Sequence, residues 1–128
     1  NHLSGMLALA GDNDMREVHR RIKAGDAAAE LALDVYCYRI RKYVGAYIAA
    51  LGGCDAIAFT AGVGENDPVV RARSLDGLQR LGIVIDPARN EAGGPVISAP
   101  ESDVTVLVIP TNEELEMANQ AAALVGSV

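Results

Sequence analysis

Several residue types that mark particular protein classes are scarce in this chain. It contains no Trp and one Phe, and four Tyr make up the rest of its aromatic residues. No stretch approaches the ~20 apolar residues that a membrane-spanning helix needs. No charged segment and apolar run precede a cleavage site, as they would in a signal peptide. The core must therefore rest on Ala, Val, Ile and Leu, and we expect a cytoplasmic protein without a membrane partner.

Cysteine, histidine and the common phosphate-binding motifs are also sparse or missing. Cys37 and Cys54 have no second Cys or His at metal-site spacing, so both are predicted to be small buried hydrophobic residues. His2 and His19 have no catalytic partners nearby in the sequence and are predicted to lie on the surface. Neither G-x-G-x-x-G nor G-x-x-x-x-G-K-[ST] occurs, so neither dinucleotide binding nor a P-loop ATPase is supported.

The composition is that of a globular domain. Half of the 128 residues are apolar, which is enough for a real core in one domain. The net charge is −6, and residues 54–128 carry eleven acidic residues against four Lys and Arg. Nucleic acid is therefore an unlikely partner.

The segment AIAFTAGVGEN is the most informative part of the chain. Its apolar first half, Ala56–Thr60, predicts a buried strand. Gly62 and Gly64 predict a loop that approaches a ligand closely, because glycine lacks a Cβ and tolerates positive φ. Asp67 and Pro68 predict the N-cap and first residue of a helix. A strand, a glycine turn and a helix start in this order can face an anion with backbone N–H groups.

Local patterns predict the other elements. Predicted helices span residues 6–10, 15–24, 27–51, 68–81 and 113–124, and further predicted strands span 83–85, 96–98 and 105–109. Asp86 and Pro87 predict a turn, and residues 90–95 a loop. Because strands alternate with helices, the sequence predicts an α/β fold whose sheet has parallel pairs and is covered by helices.

The longest predicted helix has one apolar stripe, which we expect to be buried. It consists of Tyr36, Ile40, Tyr43, Val44, Tyr47, Ile48 and Leu51.

Two strand-to-helix turns, at residues 62–67 and 110–114, are expected at one rim, since ligands in open α/β sheets bind outside the carboxyl ends of strands. Glu113 and Glu114 open the second helix, where the helix dipole alone favours acidic residues. Alternatively, one of them is a magnesium ligand, because Mg²⁺ uses few carboxylates and keeps its waters.

Four segments together resemble one family. They read DNDMREV, LDVYCYRIRKYVGAY, AIAFTAGVGEN and VLVIPTNEELEMA, and in this order and spacing they closely resemble the carboxyl-terminal part of acetate kinases. The resemblance covers nearly the whole chain. It implies a ribonuclease H-like domain with a mixed sheet, one half of the two-domain fold of actin and hexokinase relatives, with ATP in the cleft between the domains. The parent enzyme would transfer phosphoryl between ATP and acetate with Mg²⁺, giving acetyl phosphate and ADP.

The resemblance also implies which residues bind the nucleotide and the metal. The segment against the adenosine end is matched by Gly62, Val63, Gly64, Glu65 and Asn66. A second nucleotide-contacting segment is matched by Asp14, Met15 and Arg16. Glu113 matches the residue that the family uses toward the magnesium ion.

The resemblance further implies that the catalytic histidine, the arginines and the acid pocket lie upstream of Asn1. No catalytic residue is therefore assigned in this chain. We expect residues 1–128 to be the carboxyl-terminal nucleotide-binding domain or fragment of an acetate kinase, inactive alone, because phosphoryl transfer needs several groups around the phosphates. Family members commonly dimerise through this domain, so a homodimer is expected. The tyrosines of the long helix belong either to that interface or to the core.

Two alternatives are also compatible with the sequence. Propionate and butyrate kinases share the architecture and would present a similar nucleotide-binding half. A free-standing nucleotide-binding or structural module with no catalytic parent is an alternative from a different class.

Overall fold

The computed structural model describes Gly11, residues 14–112 and Asn119. The elements in chain order are α1 (Met15–Lys23), α2 (Ala27–Leu51), β1 (Ala56–Thr60), α3 (Ala61–Asn66), α4 (Pro68–Leu75), a 3₁₀ turn (Gln79–Leu81), α5 (Pro87–Ala92) and β2 (Thr105–Ile109). The predicted helix over residues 6–10 lies outside the described residues, as does that over 113–124 apart from Asn119, which is helical and exposed. Within the part that is described, no helix has the length and apolarity to span a bilayer.

The first two helices begin and end where local chemistry predicts. Asp14 caps α1, and Asp26 caps α2 by accepting hydrogen bonds from two backbone N–H groups of the first turn. Gly52, at φ 75°, ends α2 in the left-handed conformation that favours glycine. The predicted bounds of these two helices agree with the structure to within one residue.

The sheet is built around two parallel strands. β1 pairs with β2 in the register Ala56 to Thr105 through Thr60 to Ile109. The predicted strand is present, but its predicted burial is wrong, since Ile57 and Phe59 are half-buried and the residues between them are exposed. The segment 96–98 lies antiparallel on the other side of β2, where the Ile97 N–H donates to the carbonyl of Val106 at 2.8 Å. The sheet is therefore mixed, and the predicted α/β class is confirmed.

The turn after β1 differs from its prediction. Residues 61–66 form the short helix α3 rather than an open loop, and neither Gly62 nor Gly64 has a positive φ. The left-handed residue is Ala61, at φ 57°. Its N–H donates to Glu65 Oε1 at 2.7 Å and to Thr111 Oγ1 at 2.8 Å, and these contacts hold a conformation that a non-glycine residue rarely adopts.

The helix after Pro68 is shorter than predicted. It ends at Leu75, because Asp76 has an extended backbone with ψ 137° and Gly77 has φ 81°. The chain then makes the 3₁₀ turn, which Gly82 terminates.

The region between this turn and β2 also departs from expectation. The predicted strand over 83–85 is wrong: only Ile85 pairs, in a single bridge with Ser98. The predicted loop over 90–95 is partly helical, since Asp86 caps α5 and accepts a hydrogen bond from Arg89 N at 2.9 Å. The predicted turn at Asp86 and Pro87 is thus a helix start.

Two hydrophobic clusters form the core. The first lies among α1, α2 and α4 and contains Met15, Val18, Ala29, Ala32, Leu33, Cys37 and Val70. The second lies under the sheet and contains Leu75, Ile83, Ile97, Val104, Val106 and Val108. Cys37 is buried as predicted, and burial raises the pKa of its thiol. Cys54 is only half-buried at the edge of the second cluster, so its prediction as a buried residue is wrong.

The apolar stripe of α2 is buried only in part. Tyr36 and Ile40 pack against the first cluster, but Tyr43, Tyr47 and Leu51 are 55%, 64% and 76% exposed. Val44 and Ile48 are half-buried against the second cluster. The predicted buried face is therefore wrong for Tyr43, Tyr47 and Leu51 only. Helical periodicity identifies an apolar face, but the covering element must come from elsewhere, and the buried residues of α2 all lie in its first half.

Candidate nucleotide-binding cleft

An open cleft of about 770 Å³ lies where the start of α1 meets α3 and the start of α4. It is lined by Asp14, Met15, Arg16, His19, Lys23, Gly62, Val63, Asn66, Asp67, Pro68 and Val69. The two segments expected to contact a nucleotide, at 14–16 and 62–66, are far apart in the sequence and border this one space. Six of the eight predicted nucleotide-binding residues line it, and Gly64 and Glu65 do not.

The α1 side of the cleft packs on the hydrophobic core and carries charged side chains at its rim. Met15 is 9% exposed and belongs to the first hydrophobic cluster. Arg16 contacts Asp14 through Nε at 3.1 Å and through a terminal guanidinium nitrogen at 2.8 Å. The side-chain hydrogen bond from Arg16 lowers the pKa of the Asp14 carboxyl. The Arg16 side chain is 91% exposed, so it stays available at the mouth of the cleft.

The α3 side of the cleft presents small and neutral groups. Gly62 lines the space, and a Cβ built on it would meet no atom within 4 Å. Val63 packs against the first cluster. The Asn66 Nδ2 donates to the carbonyl of Gly62 at 2.9 Å, which orients the side chain and leaves its amide oxygen able to accept.

Glu65 does not line the cleft but stabilises its α3 side. Its Oε1 accepts hydrogen bonds from the Ala61 N–H, the Thr111 N–H and the Thr111 hydroxyl, each at 2.7 Å. These bonds, led by that of the Thr111 hydroxyl, lower the pKa of the Glu65 carboxyl. Glu65 therefore ties the turn after β1 to the chain leaving β2.

Arg71 is a second supporting residue, and sequence reasoning missed it. It is 1% exposed. One terminal nitrogen donates to the carbonyls of Gly64 and Glu65, both at 2.9 Å. Its Nε and other terminal nitrogen donate to Asn90 Oδ1 at 2.8 Å and to the Asn90 carbonyl at 2.7 Å. Burial lowers the pKa of the Arg71 guanidinium, whose four hydrogen bonds all go to neutral oxygens.

His19 was also missed, and its predicted place on the surface is wrong. Its side chain is 26% exposed, and its Nε2 lies 2.6 Å from Asp67 Oδ2. The other oxygen of Asp67 accepts the Val70 N–H at 3.0 Å, so Asp67 caps α4 as predicted. Helical spacing was the available signal, since His19 follows Met15 by four residues and shares its face of α1.

The described residues do not make a metal centre by themselves. They contain no group of three or more His, Cys, Asp or Glu that could hold a metal ion. The predicted magnesium ligand, Glu113, lies outside the described residues. A second cleft, of about 450 Å³, lies between α4 and residues 83–91, and none of the predicted site residues lines it.

Comparison with known proteins gives the family. The model of the Acetokinase family matches residues 1–119. The chain belongs to this family. An acetate kinase of Leifsonia xyli is 55% identical to it over 130 residues, which cover 99% of this chain and 33% of that protein.

Solved structures of the family share the fold. The crystal structure of Porphyromonas gingivalis acetate kinase has a TM-score of 0.86 and 46% identity, covering 95% of this chain and 32% of that one. A propionate kinase from Francisella tularensis has a TM-score of 0.83 and 38% identity, covering 90% and 30%. The predicted half of an actin- and hexokinase-type fold is thus confirmed. The chain spans about a third of the length of these acetokinase family members.

Proposed function

We propose that this chain forms the nucleotide-binding third of an enzyme that transfers phosphoryl between ATP and acetate, giving acetyl phosphate and ADP. Membership of the acetokinase family supports the reaction. The observation that carries the assignment of the nucleotide is the shared cleft, which residues 14–16 and 62–66 border from two sides. On this proposal residues 1–128 are one nucleotide-binding domain, with the adenosine end of the nucleotide in the cleft.

The chemistry of the cleft suits a nucleoside. Ligand sites of this kind are mostly apolar with a few placed polar groups. Here Met15, Val63 and Val69 offer apolar surface, and Asn66 offers an amide oxygen that can accept a hydrogen bond. Arg16 and Lys23 at the rim favour a ligand that also carries negative charge.

On this proposal the chain binds the nucleotide and supplies no catalytic residue. Phosphoryl transfer depends on several charged groups placed around the phosphates. The charged side chains of this cleft sit at its rim or pair with one another, as Arg16 does with Asp14 and His19 with Asp67. We therefore expect the isolated chain to give no acetyl phosphate, and the full-length protein to give it at the expense of ATP.

The experiment combines acetyl phosphate formation by the full-length protein with titration of Mg-ADP into matched variants. Gly62→Val puts a branched side chain into the cleft, where its Cβ meets no protein atom. Gly45→Val is the control, because Gly45 is also helical and its added Cβ also meets nothing within 4 Å, but it lies on α2 away from the cleft. We expect Gly62→Val to weaken Mg-ADP binding by more than about tenfold, through lost close approach, and the control to bind normally.

Two results would contradict the proposal. Equal Mg-ADP affinity in Gly62→Val and wild type would remove the cleft from the nucleotide site. If the full-length protein forms no acetyl phosphate from ATP and acetate, the proposed reaction is wrong, and the alternative of a nucleotide-binding module without catalysis is favoured. Gly64→Val is a poorer test, because Gly64 does not line the cleft and its Cβ would already contact the Phe59 carbonyl carbon at 3.4 Å.

Propionate is the second candidate acceptor. The likeness to a propionate kinase at 38% identity favours including it, while the 55% identical relative favours acetate. Comparing kcat/KM for acetate, propionate and butyrate decides among them, and we expect acetate to give the highest value.

Magnesium is proposed as the metal, with Glu113 as the ligand from this chain. A magnesium ion bound largely by nucleotide phosphates and water needs only one or two carboxylates. Its chemistry would be to neutralise charge on the phosphates.

A homodimer in the cytoplasm completes the proposal. Tyr43, Tyr47 and Leu51 follow one another at four-residue spacing and are all more than half exposed, so they form an apolar stripe on one face of α2. Such a stripe suits an interface with a second copy, as the resemblance implies. Cys37 and Cys54 are both free thiols, as is usual in the reducing cytoplasm.

A further inference from the structure

One contact links the two sides of the candidate cleft, which are the α1 wall, with residues 14–16, and the α3 wall, with residues 62–66. His19 Nε2 lies 2.6 Å from Asp67 Oδ2, and the two side chains are only 26% and 10% exposed. His19 stands on α1, four residues after Met15. Asp67 follows Asn66 directly and caps α4. The contact thus joins the helix that carries one proposed nucleotide segment to the end of the other.

We propose that His19 is a positioning residue for the nucleotide, which acts by holding Asp67 and so setting the separation of the two walls. The inference rests on the proposed function of the cleft. The Asp67 side chain is held in one orientation because each of its two oxygens accepts a different hydrogen bond. Oδ1 accepts the Val70 N–H at 3.0 Å, and Oδ2 accepts from the imidazole of His19.

The α3 wall is already fixed to α4 without His19. Arg71, one turn after Asp67, donates to the carbonyls of Gly64 and Glu65. The α1 wall is held near its start by the apolar contacts of Met15 and Val18 in the first cluster. Near its end Arg21 donates to Asp26 Oδ2 at 2.6 and 2.8 Å, which ties α1 to α2 but not to α3 or α4. Apolar contacts are not directional, whereas the His19 hydrogen bond is. Removing it should let α1 shift relative to α3, and a nucleotide bound between them would lose contacts on one side.

The test uses the full-length protein and measures kcat, KM for ATP, KM for acetate and the Kd of Mg-ADP. His19→Ala removes the contact. His19→Gln is the conservative variant, since its amide nitrogen can still donate to Asp67. Asp67→Ser keeps a side-chain oxygen for the helix cap but is too short to hold His19. The double variant His19→Ala with Asp67→Ser closes the cycle.

We expect His19→Ala and Asp67→Ser each to raise KM for ATP and the Kd of Mg-ADP by roughly five- to tenfold, the scale of one lost intramolecular hydrogen bond. Values for kcat and KM for acetate should stay within about twofold, because the proposal concerns the nucleotide walls alone. His19→Gln should resemble wild type. The double variant should be no worse than either single one, because both remove the same contact.

Several outcomes would overturn the proposal. An unchanged KM for ATP in His19→Ala refutes it, as do effects that multiply in the double variant. A defect in His19→Ala but not in Asp67→Ser would mean that His19 touches the nucleotide itself. If His19→Ala does not fold, His19→Gln and Asp67→Ser decide, and wild-type affinity in Asp67→Ser refutes the proposal.

Failure of the proposed function has a different signature. A wild-type protein that binds Mg-ADP but phosphorylates no carboxylate would lose the proposed reaction, and the titrations would still judge His19. A wild-type protein that binds no Mg-ADP would overturn both.

Discussion

Replacing Arg71 by Met should destabilise the protein and loosen the cleft wall at once. Arg71 is buried and makes four hydrogen bonds of 2.7 to 2.9 Å, two to α3 carbonyls and two to Asn90. Met fills much of the same volume but donates nothing, so four oxygens lose their donor. The change therefore isolates the polar role of Arg71 from its packing.

The size of the effect follows from two opposing terms. Leaving a buried acceptor without a partner costs about 1–3 kcal/mol each, and some of the four oxygens will reach water instead. Burying a guanidinium itself costs several kcal/mol, which the Met variant no longer bears. We expect a net loss of about 3 kcal/mol for Arg71→Met. Arg71→Lys should lose about 2 kcal/mol, because one ammonium cannot replace a fork that reaches both Asn90 and α3.

Equilibrium urea unfolding measures the loss, and Mg-ADP titration of the same samples measures the effect on the cleft. Arg80→Met is the control, since Arg80 is exposed on the 3₁₀ turn and its replacement should change stability by less than about 0.5 kcal/mol. A loss for Arg71→Met below about 1 kcal/mol, or no larger than that of the control, would refute the reasoning.

Four further predictions concern single contacts or surfaces. Hydrogen bonds lower the folded-state pKa of Glu65, so its contribution to stability is complete above its ordinary value of 4.5 and disappears as pH falls through the folded value. Glu65→Gln should flatten that part of a Tm-against-pH curve, and an unchanged slope would contradict this. Glu113→Gln should weaken the magnesium dependence of activity, whereas Glu114→Gln should leave it unchanged. Equal magnesium dependence in the two variants would mean that Glu113 only stabilises the start of its helix. Tyr47→Glu should convert the proposed dimer to a monomer, as measured by light scattering. Tyr38→Glu is the control and should not, because nine residues at 100° each place Tyr38 on the opposite side of α2. A Tyr47→Glu protein that stays dimeric would place the interface elsewhere. Ala61→Gly should raise stability by up to about 1 kcal/mol in urea unfolding, because glycine adopts φ 57° without strain, and a loss would show that Ala61 is unstrained.

Elements with local causes could be predicted from the sequence. Asp14, Asp26 and Asp67 cap helices because a short carboxylate reaches N–H groups two or three residues ahead. Gly52 ends α2 because it tolerates positive φ. The resemblance to acetate kinases added what local patterns cannot supply, which is the expectation that residues 14–16 and 62–66 lie together, and six of these eight residues line one cleft.

Features that depend on distant residues could not be predicted. The left-handed turn falls on Ala61 rather than on a glycine, because Thr111, fifty positions later, holds its N–H. Arg71 reads as an ordinary helical arginine, and its partner Asn90 is known only from the fold. Tyr47 belongs to an apolar stripe whose exposure depends on what α1 and α4 leave uncovered. The role of Glu113 stays a prediction.

The contact between Glu65 and Thr111 has a consequence for protein synthesis. It joins residues 46 positions apart, and the strand before Thr111 is the one that pairs with β1. Contacts of such long range form late in folding. A ribosome that has completed α3 and α4 has made all of the described residues that line the cleft, but not Thr111, which holds the turn after β1 in place. If the cleft binds nucleotide as proposed, the emerging chain would therefore bind it only after β2 and Thr111 have been synthesised and have packed against the turn.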